Sequence, residues 1–306
     1  MKKNKTIFYL IFTLIFFSSF ELVSKMINID AFILTGLRFF LGGLFIFLFS
    51  PGNIILEYSK LSKNLKFKVI ISGFINVCMA MLLLQISVKL GNASTSAIII
   101  SSNPLFVFIF LAIKDFRERN KFAINNIFKL LILLVGIIGI FIIMYKPDKG
   151  DSLLAITLAI IASISFAYYT IYSQKLLKNV SPLTLNSISF SVNGLILFIG
   201  SLIFSSKSIG EIFINFDIMQ LILLIILSFG ITGLAYITYF KALMSIDAGT
   251  ASLVFYLKPV IATSLNYFIL HETIGLPKII GIILILLTLF LYNSLKSKVR
   301  ENTNKI

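Results

Sequence analysis

Long apolar runs, separated by short polar segments, occupy almost the whole of this 306-residue chain. Each run has about 18 residues or more, the length that a helix needs to cross a hydrocarbon core of ~30 Å. Lipid cannot pair a free strand edge, and the alternation typical of barrel strands is absent, so the runs predict helices. The pattern predicts ten spans, at about 7–27, 32–49, 67–89, 92–113, 125–145, 152–173, 182–205, 219–243, 248–269 and 276–294.

Two of the predicted spans follow one plan. Small residues open the run, a proline interrupts it, and charged residues close it. When the two spans are aligned without gaps, Ala93 matches Ala248 and Pro104 matches Pro259. One plan used twice indicates an internal duplication.

The duplication divides the chain into two halves of five spans, residues 7–145 and 152–293, joined by a polar turn at 146–151. Because an odd number of spans reverses the orientation, the halves form an inverted repeat. The sequence therefore predicts an all-α integral membrane protein with ten transmembrane helices, arranged as two inverted five-helix repeats. Such an architecture places a site near the bilayer midplane, between the halves.

The basic residues indicate how the chain is oriented. With a cytoplasmic N-terminus, eighteen Lys and Arg residues lie in the inner segments and six in the outer segments, as the positive-inside rule requires. We therefore expect the plasma (inner) membrane, both termini in the cytoplasm, and a basic cytoplasmic tail at 294–306. These loops and ends account for the net charge of +15, so we expect no nucleic-acid partner. The six outer residues are Lys25, Lys89, Lys146, Lys149, Lys207 and Lys278.

Composition argues against several other classes of protein. Hydrophobic residues make up 58% of the chain and the mean hydropathy is +1.01, whereas a soluble domain is ~45–50% apolar. A single cysteine and a single histidine favour neither a disulfide nor a metal site, and we expect no cofactor. The sequence has no GxxxxGK[ST] motif, so ATP is not expected to drive it, and without an HExxH motif an enzyme is not expected.

Three charged residues within the predicted spans are candidate site residues. Glu21, well inside the first span, costs roughly 2.5–3.5 kcal/mol at a helix centre and should face the bundle interior. It is either a carboxylate linked to protons or to a substrate ammonium, or a structural partner of Lys25, four residues later. Arg38 is either a site for an anionic substrate group or a charge that snorkels to the outer interface.

Polar and aromatic residues at helical spacing provide further candidates. In the eighth and ninth spans, steps of three and four place them on one helix face, which either packs against another helix or lines a cavity. Tyrosine and asparagine are not small, which favours the cavity, and aromatic rings are suitable walls for an organic substrate. The candidates, including two from the sixth and seventh spans, are Tyr168, Asn193, Tyr236, Tyr239, Tyr256 and Asn266.

Each proline of the repeated plan removes a backbone donor and frees a carbonyl one turn back. In lipid that carbonyl needs a partner or a cavity. Asn103 precedes Pro104 and Lys258 precedes Pro259, so a polar residue stands beside each kink. Both pairs are candidate site residues; alternatively, the prolines only bend their helices.

With this ordered set of features, the chain resembles the drug/metabolite transporter superfamily, specifically the EamA-type ten-helix permeases. The shared features are the ten-span duplication, Arg38 in the second span, the small-residue start and proline of spans four and nine, Glu272 at the close, and Lys25 ending span one. The resemblance covers about residues 7–293. It implies a plasma-membrane carrier, often an exporter of amino acids or other small metabolites, that works by alternating access.

These features together predict a secondary transporter of amino acids or other small metabolites, with export as the expected direction. The expected partners are a small-molecule substrate, protons as a candidate coupling ion, and the lipid bilayer. Two alternatives stay open: a non-transporting membrane scaffold or partner subunit, and, less favoured, an intramembrane enzyme. Gly136, Gly139 and Gly281 would allow spans five and ten to pack closely, within one chain or between the copies of a homodimer.

Overall fold

A computed structural model describes residues 2–119, 124–145, 150–205, 209–212, 216–252, 255 and 257–303. No strand occurs among these residues, and their regular elements are helices. The α-helices are α1 (Lys2–Ser18), α2 (Phe20–Met26), α3 (Ala31–Leu48), α4 (Pro51–Lys60), α5 (Lys63–Gly73), α6 (Leu82–Leu90), α7 (Ala93–Ser101), α8 (Asn103–Arg119), α9 (Ile124–Tyr145), α10 (Leu153–Leu176), α11 (Pro182–Ile203), α12 (Ile209–Ile212), α13 (Ile218–Ile225), α14 (Ala235–Leu243), α15 (Ala248–Ser252), α16 (Lys258–Leu270) and α17 (Leu276–Thr303). Two π-helical segments, π1 (Phe74–Met81) and π2 (Ile226–Leu234), join α5 to α6 and α13 to α14.

The chain is a multi-pass membrane protein. Within the described residues, seven helical stretches are long and apolar enough to cross a bilayer: Lys5–Met26, Ala31–Leu48, Lys63–Leu90, Ala93–Lys114, Leu153–Leu176, Pro182–Ile203 and Ile218–Ser245. They coincide with seven of the ten predicted spans. The fifth and tenth predicted spans contain shorter apolar stretches, Leu134–Ile143 and Leu276–Thr288. Residues 146–149 of the turn expected between the halves lie outside the described residues.

Many large apolar side chains on the outer surface are exposed. Phe204 is 90% exposed, and Leu48, Ile203 and Phe268 are each more than two-thirds exposed. A water-soluble monomer rarely leaves so much apolar surface uncovered. On these helices the exposed apolar surface faces lipid.

The two π segments occupy matching places in the two halves. Each lies within the third predicted span of its half, and each widens the helix for about two turns. Thr232 donates a hydrogen bond of 2.9 Å to the Leu227 carbonyl five residues back, inside π2. Short π segments in α-helices frequently occur at functional sites.

The proline-containing spans are interrupted rather than merely bent, which the sequence did not predict. In the first half, α7 ends at Ser101 and α8 begins at Asn103; in the second, α15 ends at Ser252 and α16 begins at Lys258. A proline within the first turn of a helix loses no intrahelical hydrogen bond. The chain therefore starts a new helix at each Pro rather than continuing the old one.

Helices α3 and α11 come into backbone contact and join the two halves. A Cβ atom added to Gly36 would lie 2.5 Å from the Phe198 nitrogen, and one added to Gly194 would lie 2.4 Å from the Phe40 nitrogen. Small residues allow such close approach, which is the main source of helix association in lipid. Any larger side chain at these glycines would push the two helices apart.

The close packing expected between spans five and ten is confirmed within one chain. A Cβ on Gly139 would lie 3.0 Å from the Gly281 carbonyl oxygen, and one on Gly136 would contact the Thr288 side chain. These residues lie on α9 and α17, so the two helices are each other's partners. Helix α17 continues to Thr303, and the expected tail at 294–306 therefore begins as helix.

A clamp of hydrogen bonds ties α4 to the start of α11. Glu57 Oε1 accepts from the Ser181 amide at 2.7 Å, and Oε2 accepts from the hydroxyls of Ser181, at 2.6 Å, and Thr184. Ser181 is the N-cap of α11, where a carboxylate is favoured by the helix dipole. Burial alone would raise the pKa of the Glu57 carboxyl, but the hydrogen bonds from Ser181 and Thr184 outweigh it and hold the pKa below its ordinary value.

Replacement of one glycine in the α3–α11 contact tests its role. Gly194→Ala should destabilise the purified protein by ~1–3 kcal/mol or more, because the new methyl group meets backbone atoms that cannot move aside. Gly200→Ala, on the same helix, is the control, since a Cβ there has nothing within 4 Å. Thermal unfolding in detergent measures both. Equal melting temperatures for the two variants would contradict the tight contact.

The Glu57 clamp predicts a defined pH dependence. Glu57→Gln should cost about 1 kcal/mol near pH 7, as for the loss of a helix cap. Because the folded pKa lies below the ordinary value of 4.5, this stabilisation is complete above pH 4.5 and is lost as pH falls through the folded pKa. The melting temperatures of the two proteins should therefore converge in acid. Ser59→Ala, an exposed position on the same helix, is the control, and a difference that is independent of pH would disprove the assignment.

Candidate functional site

A buried ion pair connects the two halves at the centre of the molecule. The Lys258 ammonium donates to Glu21 Oε1 in a salt bridge, and the Glu21 side chain has no exposed surface. The sequence left Glu21 either as a functional carboxylate or as a structural partner of Lys25, and its ion-pair partner in the structure is Lys258. The i+4 rule applies to one continuous helix, whereas α16 presents a competing cation from the other half of the chain.

Two helix starts bring the paired charges together. Ser19 interrupts the first span, and its hydroxyl donates to the Phe16 carbonyl at 2.9 Å, so that Glu21 lies in the first turn of α2. A carboxylate is favourable at that position. Lys258 opens α16, where the helix dipole disfavours a cation. The Glu21 carboxylate compensates this unfavourable position.

Lys25 has a different role. Its ammonium donates to the carbonyls of Val88 at 2.8 Å and Gly91 at 2.7 Å. In return, Lys89 donates to the carbonyl of Ile27. These bonds satisfy carbonyls at the end of α6 and just beyond the end of α2, which would otherwise have no helical partner. Lys25 is therefore a link between two helix ends and lies outside the central cluster.

Arg38 lies inside the bundle and does not snorkel to the interface. Its side chain is only 1% exposed, and the guanidinium carbon lies 4.5 Å from the ring centroids of both Phe20 and Phe39. Among the residues that the structure describes, its Nε and Nη2 atoms have no hydrogen-bond partner. Cation–π contact offsets part of the cost of burial, but the N–H groups stay available.

Arg38 and Lys258 both line a cavity whose wall consists largely of aromatic and aliphatic side chains. Its volume is about 30 Å³, which is space for about one water molecule, so a larger ligand enters only when lining side chains move. Helices from both halves contribute to its wall, including π1 and π2. The lining residues are Phe17, Phe20, Arg38, Met81, Leu84, Ile100, Phe166, Ile231, Tyr236, Phe255 and Lys258.

Two predicted tyrosines belong to this wall. Tyr236 lines the cavity, its hydroxyl donates to Asn76 Oδ1 at 3.3 Å, and its ring meets Phe17 edge-on at 5.2 Å between centroids. Tyr239 lies behind it, fully buried, with its hydroxyl 3.5 Å from the Thr170 hydroxyl. Tyr236 therefore contacts the cavity directly, and Tyr239 supports the rings around it.

Other predicted candidates lie elsewhere. Tyr168 is 48% exposed and stacks on Tyr172, so it faces away from the cavity. Asn193 donates at 3.0 Å to the Ile70 carbonyl and joins α11 to α5. Tyr256 lies outside the described residues.

The residues beside the prolines divide between the two helix breaks. Asn103 and Pro104 are buried where α8 begins, and the Asn103 amide donates at 3.4 Å to the Ser163 carbonyl on α10. Pro259 is buried directly after Lys258 at the edge of the cavity. Asn266 is buried two turns further along α16, and its side-chain amide has no hydrogen-bond partner in the described part of the chain.

A second polar cluster lies at the start of α7. Glu272 caps this helix: Oε1 accepts from the Ala93 amide at 2.7 Å and Oε2 from the Ser94 amide at 2.9 Å. Asp151 accepts from the Thr95 hydroxyl at 2.7 Å and lies 3.7 Å from the Lys278 ammonium. Glu272 of the second half and Asp151 of the turn between the halves therefore hold the small-residue start of a helix of the first half.

Sequence reasoning missed the phenylalanines of the cavity and the role of Asp151. The chain has 31 phenylalanines, and nothing in the pattern separates Phe17, Phe166 and Phe255 from those facing lipid. From the sequence, Asp151 was predicted only to be part of a polar turn. In the described ranges, no group of three or more His, Cys, Asp or Glu residues is placed to bind a metal ion.

Comparison with known proteins places this arrangement among transporters. Residues 153–294 match the EamA-like transporter family. A Clostridium kluyveri protein described as an uncharacterized transporter is 28% identical over 295 residues, covering 93% of this chain and 91% of its own length. The uncharacterized transporter YoaV of Bacillus subtilis is 24% identical, covering 86% and 87% of the two chains.

A solved crystal structure shares the fold. It covers 98% of this chain and 99% of its own, with a TM-score of 0.69 at 14% sequence identity. The likeness therefore extends over both halves of the molecule, although the family match covers the second half. The resemblance inferred from the ordered set of sequence features is thus confirmed by the match of residues 153–294 to the EamA-like transporter family and by relatives, described as transporters, that cover both halves.

Proposed function

We propose that this membrane transporter is a secondary carrier that exports amino acids or other small metabolites across the plasma membrane by alternating access. The observation that carries the proposal is the central cavity beside the Glu21–Lys258 pair, at which residues of both halves meet. A scaffold has no need of such a cavity, and its largely apolar wall offers no constellation for catalysis.

The proposal includes ten membrane-spanning helices in two inverted five-helix repeats, with both termini in the cytoplasm. Two observations support the repeat: π1 and π2 lie in the third predicted span of each half, and a proline opens the second helix of each interrupted pair. Interrupted helices beside a central cavity are typical of carriers with inverted repeats.

In the proposed orientation, the α7 cluster closes the outer side of the cavity. Two carboxylates, Glu272 and Asp151, bind the first turn of α7. At the opposite end, Gln174 accepts a hydrogen bond from the Ala248 amide at the start of α15, at 3.1 Å. In the carrier cycle these contacts break and re-form alternately.

Glu21 is the proposed coupling residue. A proton on Glu21 removes one charge of the pair and weakens the link between α2 and α16. A buried pair that loses one charge leaves the other uncompensated, which costs ~3–5 kcal/mol. Protonation would therefore shift the balance between the two access states. The alternative is exchange or facilitated diffusion without protons, and the experiment below distinguishes it from proton coupling.

Glu21→Gln should abolish accumulation driven by a pH gradient. The purified protein is reconstituted in liposomes, and uptake of pooled labelled amino acids, purines and sugars is measured with and without the gradient. Glu57→Gln, a carboxylate outside the cavity, is the control and should behave as the unmodified protein. Because Glu21→Gln leaves Lys258 unpaired, Glu21→Gln with Lys258→Met provides a folded variant without either charge. Unchanged gradient-driven accumulation would remove Glu21 from the coupling role.

Glu272→Gln should open the outer side of the cavity. With Cys78 replaced by alanine, a cysteine at Ile100 reports access to the cavity wall through labelling by an impermeant maleimide from outside. Loss of charge-assisted hydrogen bonds worth ~1.5 kcal/mol or more should raise the labelling rate about tenfold. A cysteine at Leu90, exposed at the end of α6, is the control. No increase at Ile100 would show that Glu272 does not hold this end closed.

A further inference from the structure

The charges around the central cavity do not balance. Arg38 and Lys258 each carry one positive charge, and Glu21 carries one negative charge. No fourth charged side chain lines the cavity among the residues described. The site as built therefore has a net charge of +1. An uncompensated charge in an apolar interior is unfavourable, so the site favours an anion.

The unmatched charge belongs to Arg38. Lys258 has its partner in Glu21, whereas the Nε and Nη2 groups of Arg38 have no hydrogen-bond partner within the described structure. The rings of Phe20 and Phe39 hold the guanidinium group, each 4.5 Å away. Rings that contact the faces of a guanidinium leave its edge free, and that edge binds a carboxylate through two parallel hydrogen bonds.

The remainder of the wall is apolar. Phe17, Phe166 and Phe255 lie on one side, and aliphatic side chains from π1, α6, α7 and π2 complete the enclosure. The Tyr236 hydroxyl is already bonded to Asn76. A ligand that enters between these residues displaces some of their side chains and needs an apolar or aromatic body, since the wall offers few partners for further polar groups.

We propose that the cavity binds a small organic monocarboxylate with an apolar body, its carboxylate on the Nε–Nη2 edge of Arg38. This assignment rests on the proposed function and narrows the substrates of the same site to metabolites other than amino acids. A zwitterion is a poor fit, because it leaves the charge at +1 and its ammonium group would have to compete with Lys258 for Glu21. A dianion would exceed the net charge of +1 and leave the site with an uncompensated negative charge.

Four probes of one shape separate these possibilities. They are 3-phenylpropionate, L-phenylalanine, 3-phenylpropanamide and phenethylamine, which differ in charge but share a phenyl ring. Binding is measured by calorimetry on the full chain in detergent, with sodium chloride as a test for any small anion. We expect 3-phenylpropionate to bind about tenfold or more tightly than the other three, because only it supplies an unopposed charge-assisted partner for Arg38.

Variants at Arg38 test the proposed contact. Arg38→Met should abolish binding of 3-phenylpropionate and at the same time raise the melting temperature of the empty protein, because a buried uncompensated charge is removed. Arg38→Lys should bind it more weakly, since an ammonium lacks the two-pronged edge. Lys63→Gln, an exposed cation outside the cavity, is the control and should bind as the unmodified protein does.

The outcomes distinguish the inference from the proposed function. Equal binding of L-phenylalanine and 3-phenylpropionate, full binding to Arg38→Met, or no binding of 3-phenylpropionate would each overturn the inference. In the last case, saturable uptake of another compound by the liposomes would leave the transport proposal standing. Absence of uptake for every pooled compound would count against transport, whatever the binding result.

Discussion

The Glu21–Lys258 pair is the interaction on which the centre of the structure depends. Neither charge is tolerable alone in a lipid-embedded interior, so the two helix starts that carry them must stay together. The helix breaks at Ser19 and before Lys258 lie where they allow Glu21 and Lys258 to come into contact. Removal of either break would rotate one charge away from the other and toward the hydrocarbon.

The apolar pattern was sufficient to predict an all-helical membrane protein and most of its spans. It also located the glycines through which α9 and α17 meet, since in lipid small residues have few other reasons to lie on a common face. These predictions succeed because they depend on length, hydropathy and residue size, which are local properties of the sequence. The candidate site depends on contacts between distant segments, and there the prediction was partial.

Two kinds of error have different physical causes. Lys25 was considered as a partner of Glu21 because spacing along one helix ignores what a second helix can bring, and in the structure α16 brings Lys258. The phenylalanines of the cavity could not be predicted, because Phe17 in the wall and Phe204 on the surface both lie in apolar stretches of the sequence. Membrane helices are apolar on every face, so hydropathy alone does not separate lipid-facing from cavity-facing rings.

The glycine contact between α3 and α11 limits how the two halves can move. Backbones that touch without intervening side chains have no compressible layer between them, so this line of contact acts as a pivot rather than as a gap that widens. Segments far from it, such as the start of α7 and the start of α15, then travel furthest for a given rotation. The position of the rotation axis is therefore set by Gly36 and Gly194, the two residues without a β-carbon in this contact.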